Sequence, residues 1–114
     1  MNAKEQLQII LNNSSSTTLA KMIIVLAFWM MQRITNDECI EFATMLGYTF
    51  TPATAITSKG NDSYTVLQML TMLVDDMYPS KFELGKNLAE VALSAAKAEN
   101  YITATDYGTL VDKL

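Results

Sequence analysis

Residues 33–46, R-I-T-N-D-E-C-I-E-F-A-T-M-L, return in altered form at 101–114, Y-I-T-A-T-D-Y-G-T-L-V-D-K-L. Aligned, the copies share Ile-Thr (Ile34-Thr35, Ile102-Thr103), an acid three residues after the threonine (Glu38, Asp106) and a leucine eleven after it (Leu46, Leu114). A threonine followed at that distance by a carboxylate is a helix-capping box. The hydroxyl accepts from the amide three residues on, and the acid reaches back to the cap amide. Each copy also follows a stretch with helical apolar spacing that opens Leu-Ala (Leu19-Ala20, Leu88-Ala89). The repeated unit is therefore a helix, a tight turn and a capped second helix. Used twice, it predicts an all-α protein, a compact bundle of about six helices forming a single domain over residues 1–114.

Outward from the first copy, residues 18–33 contain Met22-Ile-Ile-Val-Leu-Ala-Phe-Trp-Met-Met31, apolar nearly all round, which predicts a helix enclosed on most sides. The run rises roughly 15 Å, half of a bilayer's hydrocarbon core, so a buried central helix is expected and not a membrane span. A first helix is expected over about 3–12, and the hydroxyl-rich Ser14-Ser15-Ser16-Thr17 can cap the next. Beyond the first capping box, Cys39, Phe42, Ala43 and Leu46 form a core face, and Gly47 stands where a left-handed residue would end the helix.

Residues 48–62, Y-T-F-T-P-A-T-A-I-T-S-K-G-N-D, read as one long Thr-rich loop. Pro52 argues against helix, while alternation around Tyr48, Phe50 and Ile56 permits a short extended segment. A loop of this length in a compact domain is usually functional. A fourth helix is placed over about 63–77, with Val66, Leu67, Met69, Leu70, Leu73, Val74 and Met77 inward, Met72 outward and Pro79 as its stop. Ser80-Lys81-Phe82-Glu83 would cap a fifth over about 81–99, whose expected core face is Leu84, Leu88, Val91, Ala92 and Ala95.

Half of the 114 residues are hydrophobic, enough for a core without disulfides or metal, and the formal charge is −4. The basic residues are scattered and Arg33 is the sole arginine. Phosphate-backbone binding needs concentrated cations, so a nucleic-acid partner is not expected. A DNA-reading helix would begin N-D-E-C-I-E, with three carboxylates where phosphate contacts belong. With no histidine there is no Ser–His or Cys–His pair and no imidazole ligand. The lone Cys39 cannot form an internal disulfide or a thiolate zinc site, and the acids beside it oppose a reactive thiolate, so it is read as structural. Gly47, Gly60, Gly85 and Gly108 stand too far apart for a phosphate loop. The chain is accordingly read as a non-enzyme with no metal, no cofactor and no membrane association. The opening M-N-A-K-E-Q-L-Q-I-I-L lacks a basic n-region and cleavage site, so the expected location is the cytoplasm.

What remains is surface. Candidate partner-binding residues are Phe28, Trp29 and Met31 at the end of the central helix, Tyr48, Phe50 and Ile56 in the loop, and Met72, Asp75 and Asp76 on the fourth helix. Consecutive helical residues point about 100° apart, so Phe28-Trp29-Met30-Met31 cannot all face one neighbour. For the aromatics the competing reading is core packing.

The Ile-Thr-x-x-acid pattern after a Leu-Ala helix resembles the short helical hairpins of many small bacteriophage-encoded proteins, where the wording is Gly-x-Ile-Thr-x-Glu-Glu-Tyr or Phe. Arg33–Cys39 and Tyr101–Tyr107 match it, without the preceding glycine in either copy and with Cys39 in place of the aromatic. The resemblance implies a phage or prophage source and a structural role for the motif's own residues. The expected function is a non-enzymatic accessory factor, self-associating, that binds and modulates a host or viral protein. Its acidity would suit it to cover a basic, nucleic-acid-binding surface. The alternatives are a virion or assembly component built from homo-oligomers, and a weak DNA-binding regulator.

Overall fold

Both Ile-Thr boxes form. In the computed structural model, which describes residues 1–78 and 85–114, the Glu38 amide donates to Thr35 Oγ1 at 3.1 Å and the Thr35 amide donates to Glu38 Oε1 at 2.8 Å. The matching pair between Asp106 and Thr103 measures 3.0 and 3.2 Å. From these caps grow α3 (Asn36–Met45) and α6 (Ala104–Val111).

The helices before them, α2 (Thr18–Met30) and α5 (Gly85–Ala98), end in one and the same turn. Gln32 has φ +60° and Asn100 φ +63°, both left-handed. The Arg33 amide donates to Phe28 O at 2.9 Å and the Gln32 amide to Trp29 O at 3.0 Å. In the second copy Tyr101 donates to Ala96 O at 2.8 Å and Asn100 to Lys97 O at 3.1 Å. This is the Schellman arrangement, in which two orphan carbonyls are satisfied by a left-handed residue and its successor. Gln32 and Asn100 therefore occupy the position that glycine holds in the resembling phage pattern. α3 ends the same way at Gly47, φ +88°, with Tyr48 donating to Ala43 O at 2.8 Å.

α2 is the axis of the core. Every residue from Met22 to Met30 is buried, and α1 (Ala3–Asn13), α3 and α5 pack around it. Each fully buried Ile, Leu or Met there contributes about 1.5–3 kcal/mol relative to exposure. The helix stops at Met30, three residues short of the expected end, because the Schellman turn claims Gln32 and Arg33.

The long loop is a small sheet, which corrects the all-α expectation. β1 (Thr49–Thr51), β2 (Ile56–Lys59) and β3 (Asp62–Tyr64) form an antiparallel meander in that order. Phe50 pairs Thr57, which pairs Tyr64, and this row faces inward. The hydroxyl row Thr49, Ser58 and Ser63 faces out, with Ser58 and Ser63 Oγ 3.1 Å apart. Gly60 (φ +60°) and Asn61 make the two-residue β2–β3 turn, whose tightness favours a glycine at its first position. Thr57 Oγ1 is fully buried and finds no hydrogen-bond partner among the described residues.

Because Asp62–Tyr64 is strand, α4 (Val66–Met72) begins later than expected, from a third capping box in which Gln68 and Thr65 exchange bonds of 3.1 and 2.8 Å. It runs on into a π-helical turn, Leu73–Met77, with the Tyr78 amide donating to Leu73 O. Its inward arc matches the expected one except that Leu67 is half-buried, and Met72 is half-buried where it was expected outside. The expected Pro79 stop, the Ser80–Glu83 box and Leu84 lie outside the described residues. The globule has a Cα radius of gyration of 12.9 Å, close to the roughly 13 Å expected for its length. No helix of the described residues is long and apolar enough to cross a membrane.

Candidate functional site

α5 carries two overlapping apolar arcs, and only one is covered. Ala89, Ala92, Leu93 and Ala96 point into the protein against α2, α4 and α6. Ala92 was expected in the core and is buried; the rest of the expected arc among the described residues, Leu88, Val91 and Ala95, is offset from the buried set by one residue, about 100° around the helix. It lies at the surface, with Val91 41 % exposed and Leu88 and Ala95 half-buried.

Against that arc stands the end of α2, and between the two runs a groove. Its middle, about 740 Å³, is lined by Met30, Met31 and Gln32 on one wall and by Asn87, Glu90, Val91, Ser94, Ala95, Ala98 and Glu99 on the other. Toward the start of α5, Asn87 and Val91 also border a hollow of about 350 Å³ with Ile10, Phe28 and Leu88. At the far end, Met30, Gln32 and Glu99 are shared with a more polar hollow of about 370 Å³ reaching Trp29, Ile34, Thr35, Asn36 and Tyr101. The three are one continuous trough, apolar at one end and polar at the other.

The polar end is built by the two hairpin turns meeting. Gln32 Nε2 donates to Glu99 Oε1 at 3.0 Å. Trp29 Nε1 donates to Asn36 Oδ1 at 2.8 Å. The indole meets Phe50 edge-on, with centroids 4.8 Å apart, and Tyr101 at 5.3 Å in a tilted stack. Burial raises the Tyr101 phenol pKa, and the neighbouring Glu99 charge raises it further. Among the described residues, those lining the trough include two glutamates and no lysine or arginine. Lys86 approaches Glu90 at 3.8 Å with both side chains largely solvated, an arrangement worth under about 1 kcal/mol.

Of the residues expected to meet a partner, Phe28, Trp29 and Met31 are brought to this trough. Phe28 and Trp29 sit mostly buried in its floor, and Met31 is half-exposed on its wall. Tyr48 and Phe50 are core residues of the sheet side, with Lys59 Nζ 5.1 Å above the Tyr48 ring. Ile56 is half-buried on β2. Met72 borders a separate hollow of about 460 Å³ with Tyr64 and Leu67. Asp75 is exposed and held by Lys113 Nζ at 3.0 Å, and Asp76 is exposed beside it. Sequence reasoning missed Gln32, Leu88, Val91 and Glu99 as surface. The available signal was the width of the apolar span on 85–98, broader than one buried face requires.

Cys39 is fully buried, and desolvation pushes its thiol from the ordinary 9.0 up to about 12, which keeps it protonated and inert near neutral pH. Among the described residues no three Cys, Asp or Glu side chains gather as a metal site would need. The trough offers apolar contact and negative charge. Comparison with family models, with the curated proteins and with the solved structures returns no match.

Proposed function

We propose that this chain is a non-enzymatic protein–protein interaction module, a phage or prophage accessory factor that binds and modulates a host or viral protein along the α2–α5 trough. One observation carries the reading: α5 turns Leu88, Val91 and Ala95 to the surface beside Met31, with only part of that strip covered. A row of half-exposed apolar side chains lining a concavity marks an interaction site more often than scattered exposed residues do. The phage setting rests on the Ile-Thr-x-x-acid resemblance alone.

The test is affinity capture with a groove variant as control. Val91→Asp places a charge on an already exposed position, so the variant is expected to melt within about 0.5 kcal/mol of the parent. A protein retained stoichiometrically by the parent and lost by the folded variant supports the reading. Identical capture by both overturns it.

A further inference from the structure

Building on the proposed docking reading, we infer that the trough receives an amphipathic helix of about three turns that ends in a lysine or arginine, its apolar face on Val91 and Met31 and its cation between Glu99 and the Tyr101 ring. The length follows from the site. From Leu88 to Glu99 the trough runs about 16 Å at the helical rise; apolar side chains at i, i+4 and i+7 of an incoming helix cover about 10 Å of it, and a basic residue at i+11 reaches the far end.

The charge follows from the walls. Glu99 stands where the trough turns polar, and there it accepts from the neutral amide of Gln32. Lys97, two residues before Glu99, stands 4.7 Å over the Tyr107 ring, and Lys86 at the start of α5 lies against Glu90. Tyr101 is held by its stack on Trp29, and Trp29 by Asn36 and Phe50, so a carboxylate and an aromatic face wait in fixed positions. That pairing suits a cation, which gains from the charge and from the ring together, and fixing both in advance lowers the entropic cost of binding. A second copy of this chain fits less well. A two-fold interface sets the same patch of both subunits face to face, and here it would set concavity against concavity.

The test selects binders from a displayed library of three-turn helical peptides randomised along one face, then measures the affinity of a synthetic winner. Enrichment of a terminal Lys or Arg after the apolar positions, with Glu99→Gln weakening that peptide about tenfold, supports the inference. The parent's affinity should fall as salt rises from 50 to 300 mM while the Glu99→Gln protein changes little, a readout that separates charge recognition from a packing role. Winners without a basic residue, bound equally by parent and Glu99→Gln yet lost with Val91→Asp, would overturn the cation and leave the docking reading standing. Peptides indifferent to Val91→Asp would overturn both. Sedimentation showing a micromolar dimer that Val91→Asp dissolves would give the trough to a second copy and end the inference.

Discussion

The hairpin α2–α3 and the hairpin α5–α6 share a turn down to its individual hydrogen bonds, and they differ in how much of the leading helix is covered. In α2 everything from Met22 to Met30 is buried, whereas in α5 burial is limited to Ala89, Ala92, Leu93 and Ala96. The capping box, the left-handed residue and the crossed carbonyl bonds are the same in both, so the turn does not cause the difference. Neighbours do. α2 is enclosed by α1, α3, α5 and the π turn, while α5 meets α2, α4 and α6 along one side. A short motif dictates how the chain reverses, and the surrounding packing decides whether the helix serves as scaffold or as surface.

The largest expected effect tests that contrast directly. Leu26→Ala removes a fully buried side chain from α2 and should cost about 3 kcal/mol in urea unfolding. Val91→Ala, on the outward arc of α5, should stay within about 0.5 kcal/mol. A cost above about 1.5 kcal/mol at Val91 would mean that the strip is covered in solution and that the two helices are alike.

That contrast also explains what could be read from residues alone. Capping at Thr35 and Thr103 depends on side chains three residues apart, so the spacing displays it directly. Burial of α2 was legible because its apolar run leaves no polar face to turn outward. The sheet at 49–64 was harder. Its inward row of Phe50, Thr57 and Tyr64 comes from three separate strands, each too short for its own alternation to stand out. The Gly60-Asn61 dipeptide between Lys59 and Asp62 was the usable hairpin signal. The trough was hidden for another reason. Two arcs of α5 are both apolar, and choosing between them takes knowledge of which neighbours arrive. The left-handed conformations at Gln32 and Asn100 were hidden as well, since neither residue is glycine.

The next effect separates Cys39 from its aligned counterpart Tyr107, which is half-buried while Cys39 is sealed. The folded thiol titrates near 12 and the unfolded one near 9.0. Between those values the unfolded chain has released the proton and the folded chain still holds it, so stability is full below about pH 9 and falls as pH rises. The slope for this one group approaches about 1.4 kcal/mol per pH unit. Tyr101, raised by burial and by Glu99, adds to the fall in the same direction. Urea midpoints measured from pH 8 to 11 should therefore decline, and Cys39→Ala, although less stable at pH 8, should decline less steeply. Parallel slopes would mean that water reaches the thiol.

The smallest effect is at the turns themselves. A left-handed backbone costs an ordinary L-residue roughly 1–2 kcal/mol and asparagine less, while glycine adopts it freely but loosens the unfolded chain. Gln32→Gly should therefore stabilise by about 0.5 kcal/mol, and Asn100→Gly should lie near zero, a difference readable as a shift in urea midpoint. The same pair carries a second readout. Gln32 retains a strained backbone where glycine would be easier, and its side chain holds the Glu99 carboxylate at 3.0 Å. If that hold is what the strain secures, Gln32→Gly should gain stability and lose affinity for a peptide ending in lysine, while Asn100→Gly, with no groove contact to lose, leaves affinity unchanged. A stabilised Gln32→Gly protein that binds the peptide undiminished would make the two turns equivalent in function as well as in geometry.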